Sequence, residues 1–208
     1  MKTQQRDFRE NCRFTISHFL FRQVEDCSIE IRKAINDDDK YSDIKNTVSS
    51  NETLKQEMDT RGTIIQVLVL ESVVNPGRKL CVANTHLYFH PIKGMLYQII
   101  TDCGHHQALT RCNTETDSRD PDFTLEGASF SHELDLKNSC GIVEYTNYAG
   151  NFHEQLDYIF IDSTMDVICV IPMPEHSEVE QHIALPNVVF PSDHIAQICD
   201  LKWKSLYE

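Results

Sequence analysis

With 208 residues, 40% of them hydrophobic and 25% charged, the chain is long enough for one globular domain with a core of its own. It contains no run of about 18 apolar residues, which excludes an apolar membrane-spanning helix. The net charge of −13 excludes capture of nucleic acid by a uniformly basic surface, though not by a local basic site.

The first residues, Met1 to Asp7, carry early acids and no apolar core, so they form neither a secretory signal nor a transit peptide. Eight cysteines without an export signal read as reduced intracellular thiols. Cys81, Cys169 and Cys199 lie in apolar runs, where free cysteine packs as a small hydrophobe.

In chain order, Phe14, Ile16, Phe19 and Leu20 fit a strand or a helix edge, and Ile29 to Ile35 a short helix. Residues 36–62 are polar and read as loop with a weak helix near Glu52–Met58. Asp37-Asp38-Asp39 reads as solvated loop, because it lacks the glycine and terminal glutamate of a calcium loop. Thr63 to Leu70, rich in β-branched residues, is a strand. Asn75-Pro76-Gly77 is a turn, and Lys79 to Ala83 the returning strand of a hairpin. Met95–Thr101 fits a helix, followed by a polar stretch through Asp122. Tyr158–Asp162, Asp166–Ile171 and Ile195–Leu201 fit three further strands, the last two separated by a long loop from Met173 to Pro191. Strand blocks with helices between them predict an α/β layered sandwich.

The chemistry concentrates near the C-terminus. Asp157 lies in Leu156-Asp157-Tyr158-Ile159-Phe160, and His194 in Pro191-Ser192-Asp193-His194. If two neighbouring strands deliver them to one sheet edge, the aspartate orients the imidazole as base or cation beside a phosphate. Asn84-Thr85-His86-Leu87, after the strand 79–83, offers a further histidine whose alternatives are a satisfied strand-end residue and a phosphate donor.

Taken together, these blocks resemble the endonuclease/exonuclease/phosphatase superfamily of Mg²⁺-dependent phosphodiesterases. The stretches Val82 to Pro91, Tyr145 to Tyr148, Phe152 to Phe160, His182 to Pro186, Pro191 to His194 and Leu201 to Lys204 look like its deadenylase branch, the 2′-phosphodiesterases that cleave 2′,5′-oligoadenylate and trim mitochondrial poly(A) from the 3′ end. The match covers roughly residues 62–92 and 138–204 of a single partial domain spanning 1–208, with 1–61 as a weakly patterned lead-in. The resemblance implies a sandwich of two mixed sheets flanked by helices. It implies His194 as catalytic histidine, Asp157 as its partner, His86 and Asn84 at the scissile phosphate, and Asp193 near the metal. It places Asn147 and Phe152 in the nucleotide pocket and Pro91 at a base; Phe152 also fits a half-buried core aromatic. Mg²⁺ is the implied cofactor and RNA or oligoadenylate the implied partner, with neither DNA nor a membrane expected and a mitochondrial location implied.

Two parts of the family pattern are not found in these 208 residues: a Gln-Glu-Val-like motif, of which Gln23-Val24-Glu25 is the nearest string, and a Gly-Asp-Phe-Asn motif, where Ile92-Lys93 runs straight into Gly94-Met95. Those motifs supply a metal-binding glutamate and the acid–amide pair that orients water. The expectation is a crippled phosphodiesterase whose strands 63–70 and 158–162 expose apolar surface or an edge. The alternatives are a catalytically dead module that binds adenylate or a protein, and a small zinc protein using Cys103, His105, His106 and Cys112, whose spacing fits zinc poorly.

Overall fold

The computed structural model describes residues 15–50, 52–60, 62–86, 134–181 and 183–205. The helix expected at Met95–Thr101, the four candidate zinc ligands, Pro91 and His182 lie outside the described residues. The described residues fall into two units, 15–86 and 134–205. The protein is α/β, and every named strand pair among the described residues is antiparallel.

In the first unit the central strand is β3 (Ile64–Ser72), whose Ile, Val and Leu residues suit a pleated, half-buried surface. On one side it pairs with β1 (Phe21–Asp26) and β2 (Ile29–Glu30), on the other with β4 (Lys79–Thr85). The expected open edge along 63–70 is therefore corrected, since both of its hydrogen-bonding rows are occupied. The predicted β3–β4 hairpin is present. Its turn closes with Arg78 N donating to Asn75 O at 3.1 Å, and Gly77 takes φ +87°. Proline followed by a left-handed glycine is what a type II turn requires.

Helices α1 (Ile31–Asp37), α2 (Ser42–Ser50) and α3 (Glu52–Thr60), with a 3₁₀ turn at Asp39–Tyr41, replace much of the loop expected at 36–62. The signal was thin: Ile44 and Val48, one helical turn apart, are the inward positions of an otherwise polar segment. The helix expected from Ile29 starts at Ile31, because Ile29 and Glu30 join the sheet opposite Ile65 and Ile64. The aspartate run is local structure. Asp38 accepts from Lys40 N at 3.0 Å, and its bonds to Lys40 hold its carboxyl below the usual range.

In the second unit β5 (Leu136–Asn138) pairs with β8 (Phe160–Asp162), β6 (Asn147–Ala149) with β7 (Phe152–Glu154), and β9 (Met165–Val170) with β10 (Cys199–Trp203). Its core gathers Tyr145, Tyr148, Val179, Leu185 and Ile195. The strand expected at Ile195–Leu201 begins only at Cys199, and the one expected from Tyr158 begins at Phe160. The long loop from Met173 holds α4 (His176–Glu180), where the Glu178 carboxylate accepts from Glu175 N at 3.1 Å.

The cysteine expectation fails for two of the three residues named. Cys81 and Cys169 are exposed and Cys199 is half-buried. Side chains alternate along β4, and Cys81 falls on the outward face with Lys79 and Ala83. An apolar run shows that a strand exists, not which face each residue takes.

Candidate active site

The second unit builds its site on a tight hairpin. Ala149 and Phe152 pair at its end, and Gly150, at φ +63°, takes the left-handed position that two-residue turns reserve for glycine. Upstream, Tyr145 and Tyr148 turn into the core with ring centroids 5.2 Å apart. They anchor the segment from which Thr146 and Asn147 project. Burial raises both phenols; the negative charge of Glu144 adds to it at Tyr145, and a hydrogen bond to Glu180 adds to it at Tyr148. The Tyr145 hydroxyl and His176 Nδ1 share a 2.9 Å hydrogen bond, and His176 Nε2 lies 3.0 Å from Glu180 Oε1.

One isolated bridge joins this segment to the loop carrying the histidine, pairing Asn147 with His194. Tyr148 N donates to Asp193 O at 3.0 Å, and Ile195 N donates to Thr146 O at 2.7 Å. His194 is thereby held over Asp157, whose Oδ2 lies 2.6 Å from His194 Nδ1. An ionised carboxylate only accepts, so Nδ1 carries the proton of this bond and the neutral ring leaves Nε2 as its basic nitrogen. The two side chains remain 39% and 44% exposed, open enough for a ligand to reach. This is acid–base equipment: an oriented imidazole that can give or take a proton at Nε2.

The expected route to this pairing needs correcting. Asp157 lies in an irregular segment before β8, and His194 in a single bridge before β10, so the pair is not delivered by two neighbouring strands. What sequence reasoning passed over is Thr146. It is fully buried and donates to Asp157 Oδ2 at 2.7 Å. A lone hydroxyl between two core tyrosines was the available signal.

The other candidates distribute as follows. Asp193 is exposed, and Asn147 Nδ2 approaches its Oδ2 at 3.5 Å, the long limit of a hydrogen bond. Asn147 itself is only 5% exposed, so its amide faces the protein. Phe152 is half-buried at the hairpin end. Asn84 and His86 belong to the first unit: Asn84 pairs with Gln66 near the end of β4, and His86, just beyond that strand, is exposed.

Among the described residues the donor set does not make a magnesium site. Mg²⁺ demands octahedral oxygen ligands, usually carboxylates and waters. Among the described residues no group of three or more His, Cys, Asp or Glu side chains could hold a metal ion, and Asp193 stands beside an amide rather than a second acid.

With this geometry in hand, comparison with known proteins is direct. No family model matches the chain. It is 35% identical to 2′,5′-phosphodiesterase 12 of Mus musculus over 88% of this chain and 36% of that protein. It is 23% identical to a probable CCR4-Not complex 3′-5′-exoribonuclease subunit Ccr4 of Enterocytozoon bieneusi over 89% of this chain and 44% of that one. Among solved structures it resembles ANGEL2, described as a 2′,3′-cyclic phosphatase in complex with adenosine-2′,3′-vanadate, with TM-score 0.63, 16% identity and coverage of 88% and 68% of the two chains. The fold is that of the endonuclease/exonuclease/phosphatase superfamily. By sequence, the chain is a homologue of the 2′,5′-phosphodiesterases. It spans about a third of the length of those curated relatives, 36% in the mouse protein. No helix among the described residues is long and apolar enough to cross a membrane.

Proposed function

We propose that these 208 residues form part of a phosphodiesterase domain for RNA or oligoadenylate, in which the described residues assemble the acid–base half of the site and not the metal-holding half. The observation that carries the reading is the 2.6 Å pairing of Asp157 and His194, on blocks that resemble the 2′-phosphodiesterases. Asp193, His86 and Asn84 keep the roles that the resemblance gives them, and Phe152 supplies a face on which adenine can stack, a contact worth about 1–3 kcal/mol.

The same reading makes the isolated chain a poor catalyst. Attack on a phosphodiester builds negative charge on the oxygens around phosphorus, and the family meets it with Mg²⁺. General acid–base help contributes about 10²–10⁴-fold, against the roughly 10⁶-fold or more that enzymes supply. Adenylate ends are therefore held more readily than they are cut. Mitochondrial RNA is the substrate pool that the resemblance suggests.

Cleavage and binding of 2′,5′- and 3′,5′-linked oligoadenylate, measured separately with and without Mg²⁺, test this. We expect saturable binding weakened by Phe152→Ala, with negligible turnover. Robust Mg²⁺-dependent turnover that disappears in His194→Ala would overturn the impaired half of the reading; absence of any binding would overturn the substrate.

A further inference from the structure

Thr146 is 0% exposed, yet it carries a hydroxyl. A buried hydroxyl is tolerated when it is bonded, and this one uses its full capacity of one donor and two lone pairs. Its Oγ1 accepts from Leu156 N at 2.9 Å and from Asp157 N at 3.0 Å, and donates to Asp157 Oδ2 at 2.7 Å. Its main chain is tied as well, Thr146 N donating to Glu154 O at 3.1 Å and Thr146 O accepting from Ile195 N at 2.7 Å.

One oxygen thus grips both the backbone amide of Asp157 and the far end of its side chain. Holding both ends fixes the torsions between them. The atom so fixed, Oδ2, is the one that meets His194 Nδ1. A carboxylate 44% exposed would otherwise be free to turn into water.

We propose that Thr146 is a positioning residue: its hydroxyl sets the Asp157 carboxylate so that His194 is held with its proton on Nδ1 and its Nε2 available for acid–base work. The catalytic use of Nε2 rests on the phosphodiesterase reading; the grip on the carboxylate does not. A contact this open to solvent gains little from electrostatics alone, so geometry decides whether it forms.

The tautomer of His194 is read directly from long-range ¹H–¹⁵N correlations of the imidazole in the labelled full chain, at a pH where the ring is neutral, with His194→Gln used for assignment. We expect the Nδ1–H pattern in the wild type and in Thr146→Ser, and its loss in Thr146→Val and Asp157→Asn. Thermal melts of the same samples separate a loss of fold from a loss of orientation. Retention of the pattern in a folded Thr146→Val overturns the proposal. So does its loss in Thr146→Ser, which keeps the hydroxyl and removes only a methyl group. If the valine variant does not fold, the serine variant decides alone. Oligoadenylate binding by the wild type is scored separately: if it fails while Thr146→Val scrambles the tautomer, the positioning role stands and the substrate reading falls.

Discussion

Asp157 Oδ2 and His194 Nδ1 meet at 2.6 Å although the two residues are 37 apart in sequence and neither sits inside a regular strand. The pair is fixed by the backbone on either side of it: the Thr146–Tyr148 segment takes a hydrogen bond from Ile195 N and gives one to Asp193 O. Because both side chains are partly open to water, the pair contributes little to stability.

Asp157→Asn should therefore change unfolding free energy by less than about 1 kcal/mol in urea titrations, in line with exposed ion pairs. Any residual phosphodiester cleavage should fall by about 10²-fold or more, as expected when a general base loses its orienting acid. A large stability loss with unchanged turnover would reverse the assignment.

Metal addition and removal test the donor set. A ligand at 100 times its Kd stabilises the folded state by about 2.7 kcal/mol. With no acid cluster beside Asp193 among the described residues, millimolar Mg²⁺ and a chelator should leave the thermal midpoint unchanged. A rise of several degrees with Mg²⁺, abolished by Asp193→Asn, would show that further ligands complete the site.

Gln197 keeps both Oε1 and Nε2 buried and without hydrogen-bond partners, and the residue lines a cavity of about 90 Å³ with Cys140, Val143, Ile171 and Met173. Unpaired buried polar groups cost about 1–3 kcal/mol. Gln197→Met, which keeps the length and removes the polarity, should raise stability by about 1 kcal/mol in a denaturant melt. A loss instead would mean that water satisfies the amide.

The raised phenols of Tyr145 and Tyr148 give a pH signature. A group whose folded pKa lies above its unfolded value keeps its contribution to stability in full below the unfolded pKa. It loses that contribution as pH rises toward the folded one. Stability should hold on this account up to about pH 10, the ordinary tyrosine value, and fall above it. Phenolate absorbance should show these two rings titrating late, and Tyr145→Phe should soften the alkaline loss.

How much was legible in the sequence differed by kind of signal. The β3–β4 hairpin was readable because a β-branched run, then proline and glycine, dictate both strand and turn. Asp157 and His194 were readable as types beside apolar runs, but not their delivery by irregular segments, which depends on one bridge to Asn147. Thr146 offered only its hydroxyl between two tyrosines as a signal, because its role lies in three bonds that close only in the fold. Helix 42–50 was missed since its inward face carries few apolar residues, whereas helix 52–60 lies where a weak helix was expected near Glu52–Met58. Cys81 and Cys169 were misplaced because composition does not report which way a strand faces.

The bridge between Asn147 and His194 has a mechanical side. The hairpin that ends at Phe152 and the loop that carries the imidazole are spliced by two amide hydrogen bonds, from Tyr148 to Asp193 and from Ile195 to Thr146. From the hairpin tip to His194 the chain is paired through Asn147 and Tyr148, with no unpaired segment between. The hairpin end and the imidazole loop are thus tied by paired backbone alone.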